Sequence, residues 1–319
     1  MQEVSRDIFY QTIRNWEDVP FTQTDGYVRL QSGDDSSRVR YFLDEHIGCA
    51  AHVKRFAGLT MLMIDTECLQ HKQTKPATYS RFYEALQQTG VDMIETNSRR
   101  PYEAEYEIGM RQAGFLRPVG SFSFEQTNQV DLTQPLGYNE NWRRNIRQSD
   151  QSDLSLQCIG KPTDADIEDF LRLFREMCAH KHLSVPFTGK GLRILLSDPA
   201  FRLCFIVRGE ERLSGIIYHH VRSHAGLLYA ANGDEANRMH AGFQLYKQLL
   251  TRLAAEGVAS FDMEKMAPST HSSNAVFLFK QGIRGELLPL CGEWSWYRRG
   301  WYGVGMYFVK KYLWRKVQA

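Results

Sequence analysis

No apolar run in this sequence approaches the ~20 residues that a bilayer-spanning helix needs, and the longest clean stretch lies near Phe56 to Ile64. A chain that crosses a membrane as a helix is not expected. An excess of one charge is also missing, since 39 Lys and Arg stand against 37 Asp and Glu. That balance leaves nucleic acid only a local patch to meet, not a global field. The six cysteines, Cys49, Cys68, Cys158, Cys178, Cys204 and Cys291, are scattered without a CxxC pair or a Cys/His cluster of zinc-binding spacing. They read as reduced, packing thiols, most plainly Cys204 in the apolar run Leu203 to Val207. Residues Met1 to Tyr10 mix Glu3, Arg6 and Asp7 with isolated apolar side chains, unlike the charged-then-apolar layout of a secretion signal. A cytoplasmic location is the expectation.

What is present is an ordinary globular composition, 43% hydrophobic and 24% charged over 319 residues. That length suits two domains better than one. An internal repeat divides it. Gly257 lies 167 residues after Gly90, Gly282 lies 168 after Gly114, and Gly226-Leu227 lies 168 after Gly58-Leu59. The period is far too long for a solenoid, so a duplicated domain is the reading, against chance alignment of turn glycines.

Each copy carries hairpin strands first, Ala50 to Lys54 with Leu59 to Ile64 and Leu213 to Val221 with Gly226 to Ala231. A helix, a strand and a last helix ended by glycine follow. Antiparallel strands followed by a crossover helix describe a mixed sheet flanked by helices. The α/β fold expected is thus two tandem acetyltransferase-like (GNAT-type) domains, each a mixed, mostly antiparallel sheet. The strand Ser121 to Phe124 is expected to close the first. The boundaries read as 1–134 and 135–296, with a basic aromatic helix over 297–319.

Several segments resemble the Fem family of peptidoglycan-branching aminoacyltransferases, and the likeness runs over nearly the whole chain. They are PFTQTDGYVR (Pro20 to Arg29), AGF (Ala113 to Phe115), VDLTQPLGYNENWRRNIRQS (Val130 to Ser149), LLYAAN (Leu227 to Asn232), FDME (Phe261 to Glu264) and FLFKQGIRGE (Phe277 to Glu286). The resemblance implies amide formation between an aminoacyl group, carried as an ester on tRNA, and an amine of a nucleotide- or lipid-linked peptidoglycan precursor. It implies neither metal nor coenzyme. The ester is already activated, so the tasks left are holding amine against carbonyl and stabilising the oxyanion.

Lys280 is the catalytic candidate, because Phe279-Lys280 before a glycine is similar to the family's motif near the reaction centre. Apolar neighbours lower the local dielectric around such an ammonium, whereas the plain alternative is a lysine at a helix end. The resemblance also assigns substrate contacts to Arg29, Tyr229 and Asp262. It departs from the family at His180, Lys181 and His182, where an arginine's forked phosphate grip is absent; His180 and Lys181 keep part of the charge. Histidines at i and i+2 do not face one site, so no metal is expected there. In WRRNIR (Trp142 to Arg147), Arg143, Arg144 and Arg147 suit phosphate or tRNA contact, or the solvated face of an amphipathic helix.

From Tyr297 to Ala319 there are six basic and no acidic residues among seven aromatics. Val304, Phe308 and Tyr312 fall on one helical stripe, which packs on the first domain, docks on an anionic membrane or touches tRNA. Two other functions stay open. One is an acyl-CoA-dependent N-acyltransferase, although the turn NRMHAGF (Asn237 to Phe243) has little glycine for a pyrophosphate. The other is a non-catalytic, precursor-binding member of the fold.

Overall fold

The computed structural model describes residues 1–56, 58–118, 126–266, 275–309 and 312. The chain divides into two compact units, one of residues 1–125 with 289–319 and one of residues 126–288.

The first unit contains, in chain order, β1 (Gln2–Val4), α1 (Arg6–Ile13), α2 (Asp25–Ser32), β2 (Val39–Leu43), β3 (Ile47–Phe56), β4 (Leu59–Ile64), β5 (Cys68–Leu69), α3 (Pro76–Gln87), β6 (Met93–Pro101) and α4 (Ala104–Gln112). Local chemistry sets several boundaries. The Ser5 side chain accepts from the Ile8 N–H at the start of α1, and Pro76 occupies the first turn of α3, where no backbone donor is lost. Gly90 then leaves that helix at φ +85°, a left-handed conformation that glycine adopts without strain. Along β4, Leu62 and Ile64 enter the buried cluster with Tyr79, Phe82, Tyr83 and Leu86 of α3. Leu59, Met61 and Met63 point to the opposite face, as period-two alternation requires.

The second unit contains β7 (Gln126–Asp131), β8 (Gly137–Tyr138), α5 (Glu140–Ser149), β9 (Ser155–Ile159), α6 (Asp164–Lys181), α7 (Gly189–Ser197), β10 (Phe201–Arg208), β11 (Glu211–Val221), β12 (His224–Asn232), α8 (Asp234–Arg238), α9 (Ala241–Ala255), β13 (Ser260–Asp262), α10 (Ala275–Gln281) and β14 (Ile283–Arg284). The last two elements among the described residues are β15 (Glu286–Tyr297) and α11 (Gly300–Phe308). A capping box between Thr163 and Asp166 opens α6. Strand β10 is buried at nearly every position, as expected of a central strand covered on both faces.

The two sheets share one pattern. In the first, β2, β3 and β4 run antiparallel, β4 and β6 run parallel, and β15 lies antiparallel on β6. In the second, β10, β11 and β12 run antiparallel, β12 and β13 run parallel, and β7 lies antiparallel on β13. The expected pair of mixed, mostly antiparallel sheets is present. Its division differs from the expected seams at 134 and 296 because the last strands are exchanged. Residues 126–131 hydrogen-bond to β13 of the second unit, and Leu290 to Tyr297 hydrogen-bond to β6 of the first. The strand expected at Ser121 to Phe124 lies outside the described residues.

Two further expectations change. Cys204 is not a free thiol: it is bonded to Cys158, which faces it directly in the antiparallel register of β9 and β10. Cytosolic poise keeps such pairs reduced, so the state of this one follows its compartment. In α11, Tyr302 and Met306 pack on Met61 and Met93 of the first unit, while Val304, Phe308 and Tyr312, the stripe read from the sequence, are exposed.

Candidate active site in the second unit

Strands β12 and β13 stay paired for only three residues, His224 to Gly226 against Ser260 to Asp262. Beyond Asp262, β12 continues to Asn232 paired with β11 but without β13. A bulge adds to the divergence, since Tyr218 faces Leu227 and Ile217 faces Tyr229, leaving Leu228 extra on β12. Such a parting at the carboxyl ends of parallel strands is where open α/β sheets accept ligands.

Lys280 stands at this end on α10, and the position of that short helix is fixed from three sides. Trp142 is fully buried; its indole N–H donates to the Phe279 carbonyl at 2.9 Å, and its ring packs on Phe279, Phe243 and Tyr138. Asn128 Nδ2 donates to the Lys280 and Ile283 carbonyls, both at 2.8 Å. Gly282 fits because it has no side chain, for a Cβ there would lie 2.0 Å from Trp142 Cδ1. The Lys280 side chain is itself buried, at 8% exposure. Its Nζ donates to the main-chain carbonyls of Lys265 at 2.9 Å and Glu264 at 3.2 Å.

Asp262 ends β13 beside this ammonium. Burial, then the charge of Glu264, push its carboxyl up to about 6. The Thr127 hydroxyl and the Glu264 N–H, which both donate to Oδ1, and the charge of Lys280 act in the other direction. Glu264 adopts φ +65°, a costly conformation for a non-glycine residue; it turns the chain so that its N–H meets Asp262 and its carbonyl meets Lys280. His219 covers Gly226 so closely that a Cβ on Gly226 would lie 2.4 Å from Nε2 and 3.1 Å from Asp262 Cβ. The site therefore places a fixed cation beside a carboxyl that exchanges its proton near neutrality.

Of the residues expected from sequence, Lys280 and Asp262 come together. Tyr229 lies on β12 beyond the parting, half-buried, with its ring 4.5 Å from that of Phe187. Arg143, Arg144 and Arg147 line the solvent side of α5, while Trp142 and Ile146 face inward. Trp142 is thus occupied within the core and offers no stacking surface. His180 is exposed and meets Asp234 at 2.7 Å; Lys181 ends α6, and His182 follows at φ +53°. Arg29 belongs to the first unit, where α2 sets it against Asp34 at 2.7 Å and Asp25 at 3.7 Å. Sequence reading missed Thr127, Asn128, Glu264 and His219. Asn128 stands 152 residues from the carbonyl it holds, so no local spacing announces it.

Residues 138–267 match the family model described as Acetyltransferase (GNAT) domain. Among solved structures, that of FemX is similar over 97% of this chain and 99% of its own, at TM-score 0.71 and 10% identity. The structure of L-PGS from Bacillus licheniformis covers 97% of both chains at TM-score 0.66 and 11% identity. The C-terminal domain of a candidate lysylphosphatidylglycerol synthetase from Agrobacterium fabrum covers 94% of this chain and 93% of its own, at TM-score 0.61 and 12% identity. No curated protein is significantly similar in sequence. Residues 138–267 thus match an acetyltransferase (GNAT) domain, the chain is an acyltransferase, and its fold is similar to the tandem form seen in FemX.

Proposed function

We propose that the chain is an aminoacyltransferase that moves an aminoacyl group from an ester, of the kind carried by tRNA, to an amine of a peptidoglycan or other envelope precursor. The observation that carries this reading is Lys280, buried and anchored beside Asp262 where β12 and β13 part, in a fold similar to FemX along almost its full length. In this reading the amine nitrogen attacks the ester carbonyl carbon. The C–N bond forms and the C–O bond breaks. Asp262 takes the proton released by the amine and returns it to the departing alcohol. Lys280 stabilises the oxyanion; removing one such donor typically costs about 10²–10³ in rate. Tyr229 borders the acyl group, and Arg143, Arg144 and Arg147 offer three cations to a phosphate backbone. Arg29, His180 and Lys181 are assigned to the precursor.

An acyl-CoA donor is the second reading. The first turn of α9, where such a coenzyme would set its pyrophosphate, opens with His240 at φ +55°. Gly242 there is packed so that a Cβ would lie 2.9 Å from Asn232 Nδ2. That crowding favours the ester donor. The two separate directly when purified protein is mixed with radiolabelled aminoacyl-tRNAs or acyl-CoA and a nucleotide-linked muropeptide. Label moving from tRNA to the muropeptide amine supports the reading; label moving from acyl-CoA alone overturns it.

The place of work proposed is the inner face of the cytoplasmic membrane. Among the described residues no helix is long and apolar enough to cross it. Trp301, Val304, Phe308 and Tyr312 are exposed on or just beyond α11, within a segment that carries six basic and no acidic residues. Aromatic and cationic side chains together suit an anionic lipid interface.

A further inference from the structure

The first unit holds a cavity of about 600 Å³ that the transfer site does not use. It lies on the face of the sheet turned away from α3 and α4. Lys54 faces Met61 across β3 and β4, His52 faces Met63, and Met61 faces Met93 across β4 and β6. These pairings put the side chains on one surface. Leu59, Met61, Met93 and Met306 of α11 make an apolar floor. Unbranched, polarizable methionines adapt to flexible chains instead of dictating one shape.

The rim has one sign of charge. Lys54, Arg55 and Arg38 all line the cavity. Arg38 pairs with Asp35 at 3.1 Å, whereas Lys54 is exposed and makes no ion pair among the described residues; Arg55, which faces Thr60, belongs to the alternate face of the hairpin. His52 Nδ1 is buried without a hydrogen-bond partner and borders the same space. Apart from Asp35 beside Arg38, the carboxylates gather farther along the surface, at Asp65, Glu95 and Glu293 in an adjoining cavity of about 240 Å³ that shares Gln31, His52 and Lys54. A volume of this size falls in the roughly 300–1,000 Å³ range of small-molecule sites.

We propose that this cavity binds an amphiphile with one hydrocarbon chain and an anionic head. The chain lies on Leu59, Met61, Met93 and Met306, and the phosphate or carboxylate meets Lys54, with Arg38 on the same rim. This deepens the transfer reading by giving the acceptor a lipid tail and an anionic head, and only the ligand's role rests on that reading. Binding itself is measured without transfer.

Purified full-length protein is incubated with a dansyl-labelled C11 fatty acid, and competitors displace the fluorescence. Hexadecyl lysophosphatidylglycerol and palmitate compete, which separates phosphate from carboxylate heads, and each methylene removed weakens competition by up to about fourfold. Inorganic phosphate and dodecyl maltoside compete at least tenfold less well. Met93→Trp fills the floor and lowers affinity at least tenfold, as does Met61→Trp if the first variant fails to fold. Lys54→Glu with Arg38→Glu weakens the anionic amphiphiles and leaves the maltoside unchanged. Lys280→Met binds the probe as the parent does, so loss of transfer and loss of binding are told apart. Inorganic phosphate competing as well as the amphiphiles, maltoside matching them, or a folded Met93→Trp or Met61→Trp that binds normally would each overturn the proposal.

Discussion

Two buried ionic groupings govern what single residues do in this protein. At Asp262 the carboxyl titrates near 6 because burial disfavours its charged form. The folded chain therefore holds the proton more tightly than the unfolded one. Stability from this group is full below the ordinary aspartate value of about 4 and is lost as the pH rises through about 6. Asp262→Asn should accordingly raise the Tm by a few degrees at pH 8 and leave it close to the parent's at pH 4, measured by scanning calorimetry. In the first unit, Arg100 is 6% exposed and Glu67 wholly buried, and the guanidinium reaches Glu67 at 2.7 Å and Asp18 at 2.8 Å. Tyr83 donates to the same Glu67 carboxylate at 2.9 Å. Arg100→Met leaves that carboxylate buried and without its cation, at a cost of roughly 3–5 kcal/mol. Urea unfolding checks the figure, and a midpoint equal to the parent's would contradict it.

At the scale of elements, α10 and α11 make separate predictions. Gly282→Ala must displace the Trp142 ring that fixes α10, with an expected loss of roughly 1–3 kcal/mol by overpacking. Denaturant unfolding reads that loss, and label transfer should fall with it because Lys280 moves. Replacing Trp301 and Phe308 by Glu leaves the buried Tyr302 and Met306 of α11 in place. The variant should keep the parent's Tm yet no longer pellet with anionic vesicles at low salt. A parent chain that itself stays in the supernatant would remove the membrane role. The WRRNIR segment was readable as an amphipathic helix, since Trp142 and Ile146 are four apart and both buried. In the tail, a helix was legible but its buried side was not. Both candidate stripes there are aromatic or apolar, and the choice falls to Met61 and Met93, which are distant in sequence.

For the molecule as a whole, the duplication was visible because helix ends and hairpins leave local signals. Gly90 and Gly257 follow α3 and α9 in the same left-handed conformation, at φ +85° and +80°. The other two anchors keep the register for different reasons. Gly58 is a turn residue at φ +78° and Gly114 a helix end at φ +77°, whereas Gly226 and Gly282 are small because His219 and Trp142 press on them. Strand exchange was hidden, for β7 and β15 are chosen by partners far away along the chain. It has a measurable consequence. A fragment of residues 1–125 lacks β15 and exposes the edge of β6, so it should fail to unfold cooperatively, while residues 126–288 retain β7 beside β13 and should do so. Circular dichroism melts of the two fragments decide it.

The most direct test of the account is the rate at which label passes from aminoacyl-tRNA to the muropeptide amine, compared between the parent chain and Lys280→Met across pH 5 to 8. The parent rate should rise through about pH 6 as Asp262 loses its proton and then level off. Lys280→Met should fall by about 10²–10³ at every pH. A Lys280→Met enzyme that transfers label as fast as the parent would contradict the assignment of this site.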